Sequence, residues 1–250
     1  MTDAGSAIAE RLVKRLSKFD HLRESATVRP RDAATMIIID RTDAPKVLLG
    51  RRHDSHKFMP GKFVFPGGRL EPLDRRMASQ SPLASQVEAQ LMRAMQRPSP
   101  DKARGLVLAA IRETFEETGL MIGATSAAPV RSPGGPWDAF AQAGVIPDLA
   151  AVHFVARAIT PPGRTKRFDT RFFAVDATTI AVRHEGVVGP DTELTELVWL
   201  PITDASRLDM PTITTAVLEE LTCRIAAGFS HDLSVPFYRV VNRRRARELL

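Results

Sequence analysis

Three glutamates near the middle of the chain, Glu113, Glu116 and Glu117, lie three and four residues apart within the segment AAIRETFEETGL. On an α-helix this spacing places all three side chains on one face. Their neighbours on that face, Ala109 and Ala110, project very little. A solvated acidic face usually interleaves lysine, and carboxylates near the C-terminal end of a helix oppose its dipole. The pattern therefore indicates that a cation lies among the glutamates.

The cation that suits these ligands is Mg²⁺ or Mn²⁺. Both are hard ions that prefer oxygen ligands, keep part of their water shell and bind substrate phosphates. A solvated acidic face is the alternative, and it is the more common one for an arbitrary helix. The sequence FPGG, residues 65–68, favours the metal site because a glycine-rich turn there can close over the helix.

The element that must position the glutamates is a helix from Pro100, behind the capping residue Ser99, to the helix stop at Gly119. A helix at about 82–96 begins at a Ser-Pro pair, and its Leu83, Val87, Leu91 and Met95 form an apolar stripe that either packs on the domain or walls a groove. Other predicted elements are helices at 5–19 and 211–227, strands at 34–40, 46–52, 151–159, 171–176 and 195–200, a strand in KFVFPGG running into a tight loop, and a final strand in VPFYRVV. This mixture predicts an α+β domain with a central sheet between helices.

Two segments, GGRLEPLD and RETFEETGL, together resemble the Nudix box, G-x5-E-x7-R-E-U-x-E-E-x-G-U, in which U is aliphatic. Asp74 stands where the box has glutamate, and Thr114 where it has an aliphatic residue. About 30 extra residues, 75–104, separate the two halves of the box and carry the predicted helix. The matching residues are Gly68, Arg112, Glu113, Glu116, Glu117, Gly119 and Leu120.

A wider resemblance covers roughly residues 33–200. The stretches VLLGRR, FMPGKFVFPGGRLEPLDRR, AVHFVARAITPPGRTKRFDTRFF and ELTELVWLP are similar to the Nudix branch that contains the animal peroxisomal coenzyme A diphosphatase, whose box is also interrupted. The resemblance implies a Nudix-type α/β/α sandwich with a mixed central sheet and a helical insertion in the box. The expected organisation is an N-terminal helical extension at 1–30, a Nudix domain at 31–210 and a C-terminal helix and tail at 211–250.

The resemblance also implies roles for the helix residues. In Nudix enzymes water attacks a phosphorus of a nucleoside diphosphate linked to another group, and divalent cations neutralise the diphosphate and activate the water. By the family pattern, Glu116 and Glu117 bind metal. Glu113 is a further ligand or the base that receives the water's proton. Arg112 is expected to steady these carboxylates.

Further site residues are implied outside the helix. The backbone carbonyl of Gly67 or Gly68 is expected to add a metal ligand, since glycine lets the backbone approach closely. Many Nudix proteins carry a catalytic glutamate just ahead of a strand containing tryptophan, and Glu193 and Glu196 both fit that description. The sequence leaves open which of the two points inward, and both can equally be exposed loop acids.

Basic residues can contact the phosphates of the substrate. Alternation in RFDTRFF places Arg167, Asp169 and Arg171 on one face of a strand, so a salt-bridged structural strand is at least as good an interpretation there. The candidates for phosphate binding are Arg51, Arg52, Lys57, Lys62, Arg164 and Arg167.

The leading hypothesis is a metal-dependent hydrolase of a nucleoside diphosphate linked to another moiety. Coenzyme A or acyl-coenzyme A is the first substrate class, because of the branch resemblance and the net charge of +6. ADP-ribose or a nucleoside diphosphate sugar is the second. A non-catalytic nucleotide-binding regulator is a different class, although such proteins usually lose box carboxylates. RNA binding through NRRRAR, 242–247, is a third, but that run is too short to prefer over a solvated terminus.

Composition sets the remaining expectations. At 250 residues, with 44% apolar and 26% charged residues, the chain can bury a substantial core. A single cysteine, Cys223, excludes an intrachain disulfide and fits a reducing compartment. No run of 18 apolar residues or signal-peptide core is present, so a cytoplasmic protein without membrane contact is expected. The expected partner is a phosphorylated small molecule and not nucleic acid, and the resemblance allows a homodimer.

Overall fold

A computed structural model of the chain describes residues 3–17, 28–55 and 59–250. Its helices are α1 (Asp3–Ser17), α2 (Ser85–Met92), α3 (Pro100–Thr118), α4 (Trp137–Gln142), α5 (Ile202–Ala205) and α6 (Thr212–Ala226). Its strands are β1 (Arg31–Asp40), β2 (Lys46–Arg52), β3 (Phe63–Val64), β4 (Gly67–Arg69), β5 (Leu120–Ile122), β6 (Ala124–Thr125), β7 (Val145–Ile146), β8 (His153–Ile159), β9 (Phe168–Asp176), β10 (Ile180–Arg183), β11 (Leu194–Pro201), β12 (Pro236–Val241) and β13 (Arg244–Leu249). None of the helices in these ranges is both long and apolar enough to cross a bilayer.

One mixed sheet runs through the molecule in the order β11-β2-β1-β9-β8-β12-β13, with β3 beside β2 and β4 beside β1. The pairs β1–β9 and β8–β12 are parallel, and the other pairs of this sheet are antiparallel. Two small ribbons, β5–β10 and β6–β7, lie apart from it. This arrangement confirms the predicted α+β fold with a mixed central sheet between helices.

Each face of the sheet buries its own core, because successive side chains of a strand point to opposite faces. Along β1, Met36 and Ile38 belong to the core that contains α3. Ile37 and Ile39 belong to the core that contains residues of α1 and α6. The glutamate helix therefore packs on one face of the sheet, and the N-terminal helix packs on the other.

Helix α3 begins and ends at the residues that its capping signals predict. The hydroxyl of Ser99 accepts a hydrogen bond from the Lys102 amide at 3.2 Å, and Pro100 occupies the first helical position. At the other end Gly119 adopts φ 74°, in the left-handed region, and its N–H donates to the Phe115 carbonyl at 2.8 Å. The predicted helix from Pro100 to Gly119 is confirmed.

The inserted segment, 75–104, contains α2, which is shorter than the predicted helix at 82–96. It begins later because the hydroxyl of Ser81 donates to Asp148 instead of capping a helix. It ends at Met92 because Arg93 takes an extended conformation, and Ala94 follows in the left-handed region with φ 53°. The apolar stripe packs into the core around α3, so the packing alternative is correct; its members there are Leu83, Val87, Leu91 and Met95.

The two ends of the insertion meet on α3. The guanidinium of Arg104 donates to the carbonyls of Arg75 and Met77, the latter at 2.5 Å. The Arg75 side chain lies against Gly105, where a Cβ would come within 2.8 Å of the Arg75 Cγ. The first and last residues of the insertion therefore lie side by side at the start of α3.

Residues near the C-terminus differ from the sequence prediction. The final strand is confirmed as β12, but the basic run after it is the second strand of a hairpin and not a solvated terminus. Asn242 and Arg243 form a two-residue turn with φ of 49° and 62°, the positive values that such hairpin turns need. Arg247 then pairs with the buried Glu220 at 2.7 Å, which ties this hairpin to α6.

Candidate active site

The glutamate face of α3 lies against the glycine strand β4. The Gly67 amide donates to Glu117 Oε2 at 3.1 Å, and Glu117 is 7% exposed. A Cβ at Gly68 would overlap the Glu113 carboxylate. Gly68 therefore leaves room for the Glu113 carboxylate, whereas Gly67 allows β4 to approach the backbone of β1 closely. The predicted tight loop is wrong at these two positions, because Gly67 and Gly68 are strand residues paired with β1.

The two glycines predict different outcomes when substituted. The atoms nearest to a Cβ at Gly68 belong to the end of the Glu113 side chain, so Gly68→Ala should fold normally and displace that carboxylate. A Cβ at Gly67 would lie 2.7 Å from Thr35 Cα and also meet the Ala34 carbonyl, so Gly67→Ala should disturb the β1–β4 pairing itself. We expect Gly68→Ala to lower activity with little change in melting temperature, and Gly67→Ala to lower both. A Gly68→Ala protein with unchanged activity would show that the position of Glu113 is unimportant.

Arg112 lies between the carboxylates of the two box halves. Its Nε donates to Asp74 Oδ1 at 2.7 Å, and its Nη1 lies 3.0 Å from Glu113 Oε1 and 2.5 Å from Glu116 Oε2. A further bond from Nη2 reaches the Arg69 carbonyl at 2.9 Å. Arg112 is 3% exposed, so its contacts are with protein carboxylates and backbone, as expected for a residue that steadies the site.

The two departures from the box are both accommodated by hydrogen bonds. Asp74 is fully buried, accepts from Arg112 and also accepts from the Glu71 amide at 2.8 Å. Thr114 is also fully buried, and its hydroxyl donates to the Ala110 carbonyl at 2.7 Å. The interrupted box is therefore joined in space, and its polar threonine leaves no unsatisfied hydroxyl.

The glutamates carry more negative charge than their protein partners neutralise. Burial, followed by the charges of Glu193 and Glu113, raises the pKa of Glu117 well above its usual value. Burial also raises the pKa of Glu113, despite the opposing charge of Arg112. Glu116 is 38% exposed at its side chain. A cation would relieve this excess charge, and the carboxylate oxygens present are ligands of the kind that a hard divalent ion prefers.

The arrangement is not a closed metal cage. Among the residues that the structure describes, no three acidic, histidine or cysteine side chains converge as a complete set of ligands. Arg112 contacts both Glu113 and Glu116, so these two carboxylates are drawn toward the guanidinium. The donor types fit a divalent cation, but Glu113 and Glu116 would have to turn from Arg112 to share one.

The sheet places Glu193 and Glu196 on different sides. Glu193 Oε1 lies 3.0 Å from Arg52 Nη2, and both charges act on the buried Glu117. Glu196 pairs across the strands with Arg51, whose Nη1 lies 4.0 Å away, on the face turned from α3. The structure therefore brings Glu193 and Arg52 to the glutamate helix and leaves Glu196 and Arg51 away from it.

The other basic candidates do not converge on the glutamates. Lys62 Nζ pairs with Asp209 at 2.6 Å. Arg164 lines a cavity of about 420 Å³ that also includes Leu16 of the opposite core. Arg167 donates to the carbonyls of Thr160 and Val28, at 3.0 and 2.8 Å. Lys57 lies outside the described residues.

The strand RFDTRFF is a salt-bridged structural strand at two of its three charged positions. Arg171 is 1% exposed and lies 2.7 Å from Asp32 and 3.3 Å from Asp169. Asp169 also accepts from Arg157, and Asp32 from Lys102, both at 2.7 Å. The sequence does not predict the roles of Asp32, Lys102 and Arg157, because partners on separate elements leave no signal in local spacing.

Comparison with known proteins identifies the fold. No family model matches the chain, and no curated protein matches it either. A solved Nudix hydrolase from Alicyclobacillus acidocaldarius superposes with a TM-score of 0.60 and 27% identity, over 81% of this chain and 97% of that one. The Nudix domain of Shewanella oneidensis NrtR, solved with ADP ribose, gives 0.45 and 12% over 90% and 99%. A MutT protein from Methanosarcina mazei Go1 gives 0.44 and 15% over 80% and 99%.

The chain has the Nudix fold, and the first of these similarities carries that conclusion. Together with the box residues assembled around α3 and β4, the fold supports a Nudix diphosphate hydrolase.

Proposed function

We propose that the protein is a metal-dependent hydrolase that splits the diphosphate of a nucleoside diphosphate linked to another moiety, with coenzyme A or acyl-coenzyme A as the substrate class. The observation that carries the proposal is the cluster of Glu113, Glu116 and Glu117 packed against Gly67 and Gly68, with three carboxylates and a single contacting cation, Arg112, in the described part of the chain. Mg²⁺ or Mn²⁺ is the proposed cofactor, as in Nudix hydrolases generally.

In this proposal Glu113, Glu116 and Glu117 hold the cation, and the carbonyl of Gly68 is a further candidate ligand. When bound, the cation neutralises the diphosphate and makes water a stronger nucleophile. Arg112 is a positioning residue, because its contacts hold the carboxylates and Asp74 in place.

The proton of the attacking water needs an acceptor near the glutamate helix. Glu113 and Glu193 are the proposed candidates, and the support for both is that their charges raise the pKa of Glu117. Arg52, at 3.0 Å from Glu193, supplies the positive charge on the same side of β2 and is the proposed phosphate contact. Glu196, Arg51, Lys62, Arg164 and Arg167 have no role in this proposal because they lie elsewhere.

Support for coenzyme A comes from the sequence resemblance around the interrupted box and from the positive net charge. ADP-ribose or a nucleoside diphosphate sugar is the alternative substrate class. A non-catalytic nucleotide-binding regulator is disfavoured by the presence of all three helix glutamates. A homodimer and a cytoplasmic location stay predictions from the sequence.

The test is hydrolysis of a panel containing coenzyme A, acetyl-coenzyme A, ADP-ribose and a nucleoside diphosphate sugar, with Mg²⁺ or Mn²⁺ and with EDTA. We expect cleavage at the diphosphate in metal only, with coenzyme A giving adenosine 3′,5′-bisphosphate and 4′-phosphopantetheine by mass spectrometry. Faster cleavage of ADP-ribose than of coenzyme A would replace the substrate class. Absence of cleavage across the panel by folded, metal-supplied protein would contradict the enzyme proposal.

A further inference from the structure

A basic cleft lies beside the candidate active site, where the start of β1 faces the beginning of the insertion. Its volume is about 960 Å³, and its cationic lining residues are Arg31, Arg69, Arg75 and Arg76. The four arginines come from three separate parts of the chain, since Arg31 belongs to β1, Arg69 to β4, and the other two to the insertion. Their spacing in the sequence does not predict a shared site, because only the fold brings them together.

The four guanidinium groups have no carboxylate partner within the described parts of the chain. No ion pair joins any of them to an acidic side chain in those ranges, although 35 lysines and arginines and 29 acids are available overall. Of the two acids in the cleft, Asp32 is already shared by Lys102 and Arg171. Glu71 is the other, so the lining carries an excess of positive charge.

The cleft shares a wall with the glutamate site. Arg69 directly follows Gly68, whose missing Cβ makes room for Glu113. The Arg69 carbonyl accepts from Arg112, and the chain continues through Glu71, whose amide donates to Asp74. The loop between Arg69 and Asp74 therefore has the carboxylate cluster on one side and the cleft on the other.

We propose that this cleft binds a phosphate group that the substrate carries in addition to the diphosphate that is cleaved. The inference rests on the proposed function and specifies its substrate as a nucleoside diphosphate compound bearing a separate phosphomonoester. Guanidinium groups bind phosphate through paired N–H donors, and several unpaired ones around one concavity form a site for a doubly charged anion. The interruption of the box thereby supplies two of the four arginines that select the substrate.

The lining favours a phosphate group over a polynucleotide. Proteins that bind single-stranded nucleic acid combine basic grooves with aromatic platforms on which bases stack. Among the described residues that line the cleft none is aromatic, and its remaining members are prolines and a leucine. Phe237 lines the adjoining depression, but it is 1% exposed and covered by Arg157, whose Cζ lies 4.3 Å from the ring centroid.

The experiment compares the wild-type protein with the double variant Arg75→Gln/Arg76→Gln. Both side chains are exposed, so glutamine should leave the fold intact. Arg207→Gln is the matched control, because the Arg207 side chain is 81% exposed and its acidic partner is Asp204 on α5. Binding of adenosine 3′,5′-bisphosphate and of AMP is measured calorimetrically in EDTA, and kcat/KM is measured for coenzyme A and dephospho-coenzyme A in Mg²⁺.

We expect wild-type protein to bind the bisphosphate more tightly than AMP and to prefer coenzyme A over dephospho-coenzyme A. Each guanidinium removed should reduce both preferences by about tenfold, the effect of losing one charge-assisted hydrogen bond. The control should keep both preferences, and added salt should weaken bisphosphate binding.

Three results would overturn the inference. One is equal wild-type activity on the two coenzymes, which would leave the diphosphate hydrolase intact without a second phosphate site. Another is a clear preference that survives in the double variant, which would place the phosphate elsewhere. The third is tight, arginine-dependent bisphosphate binding without hydrolysis of any diphosphate, which would reject the proposed function and show that the bound phosphate belongs to a regulator.

Discussion

Glu117→Gln should abolish most of the hydrolysis while leaving the protein folded. The substitution keeps the size of the side chain and the hydrogen bond from the Gly67 amide, and it removes one charge from the proposed metal ligands. Changes that only touch the surroundings of a metal ligand cost about 10–100-fold in activity or affinity. Loss of a ligand charge should therefore reduce kcat by more than about 100-fold. The exposed Glu10→Gln on α1 is the matched control and should be indistinguishable from wild type.

Stability gives the same substitution a second readout. The pKa of Glu117 is raised in the folded protein, mainly by burial and then by Glu193 and Glu113. A carboxyl group with a raised folded pKa loses stabilising free energy as pH rises above its unfolded pKa. Metal-free Glu117→Gln should therefore melt higher than metal-free wild type at pH 8, and the difference should shrink toward pH 4. Mg²⁺ or Mn²⁺ should raise the melting temperature of wild type more than that of the variant. Full activity in a folded variant would mean that any catalytic metal is held elsewhere.

Among the substitutions proposed here, Arg112→Met should cause the largest loss in the free energy of unfolding. Asp74 is fully buried and depends on Arg112 for its counter-ion, at 2.7 Å, so methionine would leave a buried carboxylate unpaired. Breaking a buried ion pair on one side costs about 3–5 kcal/mol. The measurement is urea unfolding followed by circular dichroism, with Arg207→Gln as a surface-pair control that should lose less than about 1 kcal/mol.

A second variant distinguishes the effect of an unpaired Asp74 carboxylate from the effect of losing the packing of the Arg112 side chain. In the double variant Asp74→Asn/Arg112→Met the buried carboxylate is gone, so part of the lost free energy of unfolding should return. Arg112→Met with a loss comparable to the surface control would mean that Asp74 finds another partner. That result would mean that the Arg112–Asp74 ion pair is not what holds the two halves of the box together.

Local signals in the sequence were sufficient for the helix that carries the glutamates. Ser99, Pro100 and Gly119 act through backbone conformation and hydrogen bonds within a few residues, so their positions alone predict both ends of α3. The resemblance to the Nudix box likewise identified Arg112 and Asp74 before their contact was known. The choice between Glu193 and Glu196 required the sheet, because a register shift between β11 and β2 decides which side chain faces α3.

Local sequence patterns could not predict contacts between segments that are distant in the chain. Ser81 looked like a helix start, but its hydroxyl bonds to Asp148. Lys62 was a candidate for phosphate binding, but it pairs with Asp209, which is distant in sequence. The C-terminal hairpin did carry a signal, since asparagine at position 242 tolerates a left-handed turn, and a reading of Asn242–Arg243 as a turn would have found β13.

The closed ends of the insertion make it separable along the chain. Because Arg75 lies against Gly105, excising residues 75–104 would join Asp74 directly to Gly105 and leave seven residues, 105–111, before Arg112. That is the spacing of an uninterrupted Nudix box. The chain without the insertion would therefore have the family's usual number of residues between the first half of the box and Arg112. The packing of the domain, in contrast, depends on the insertion, since Met77 and Val87 are fully buried in the core around α3. A trimmed chain would therefore keep its register but expose an apolar surface that some other segment, or another molecule, would have to cover.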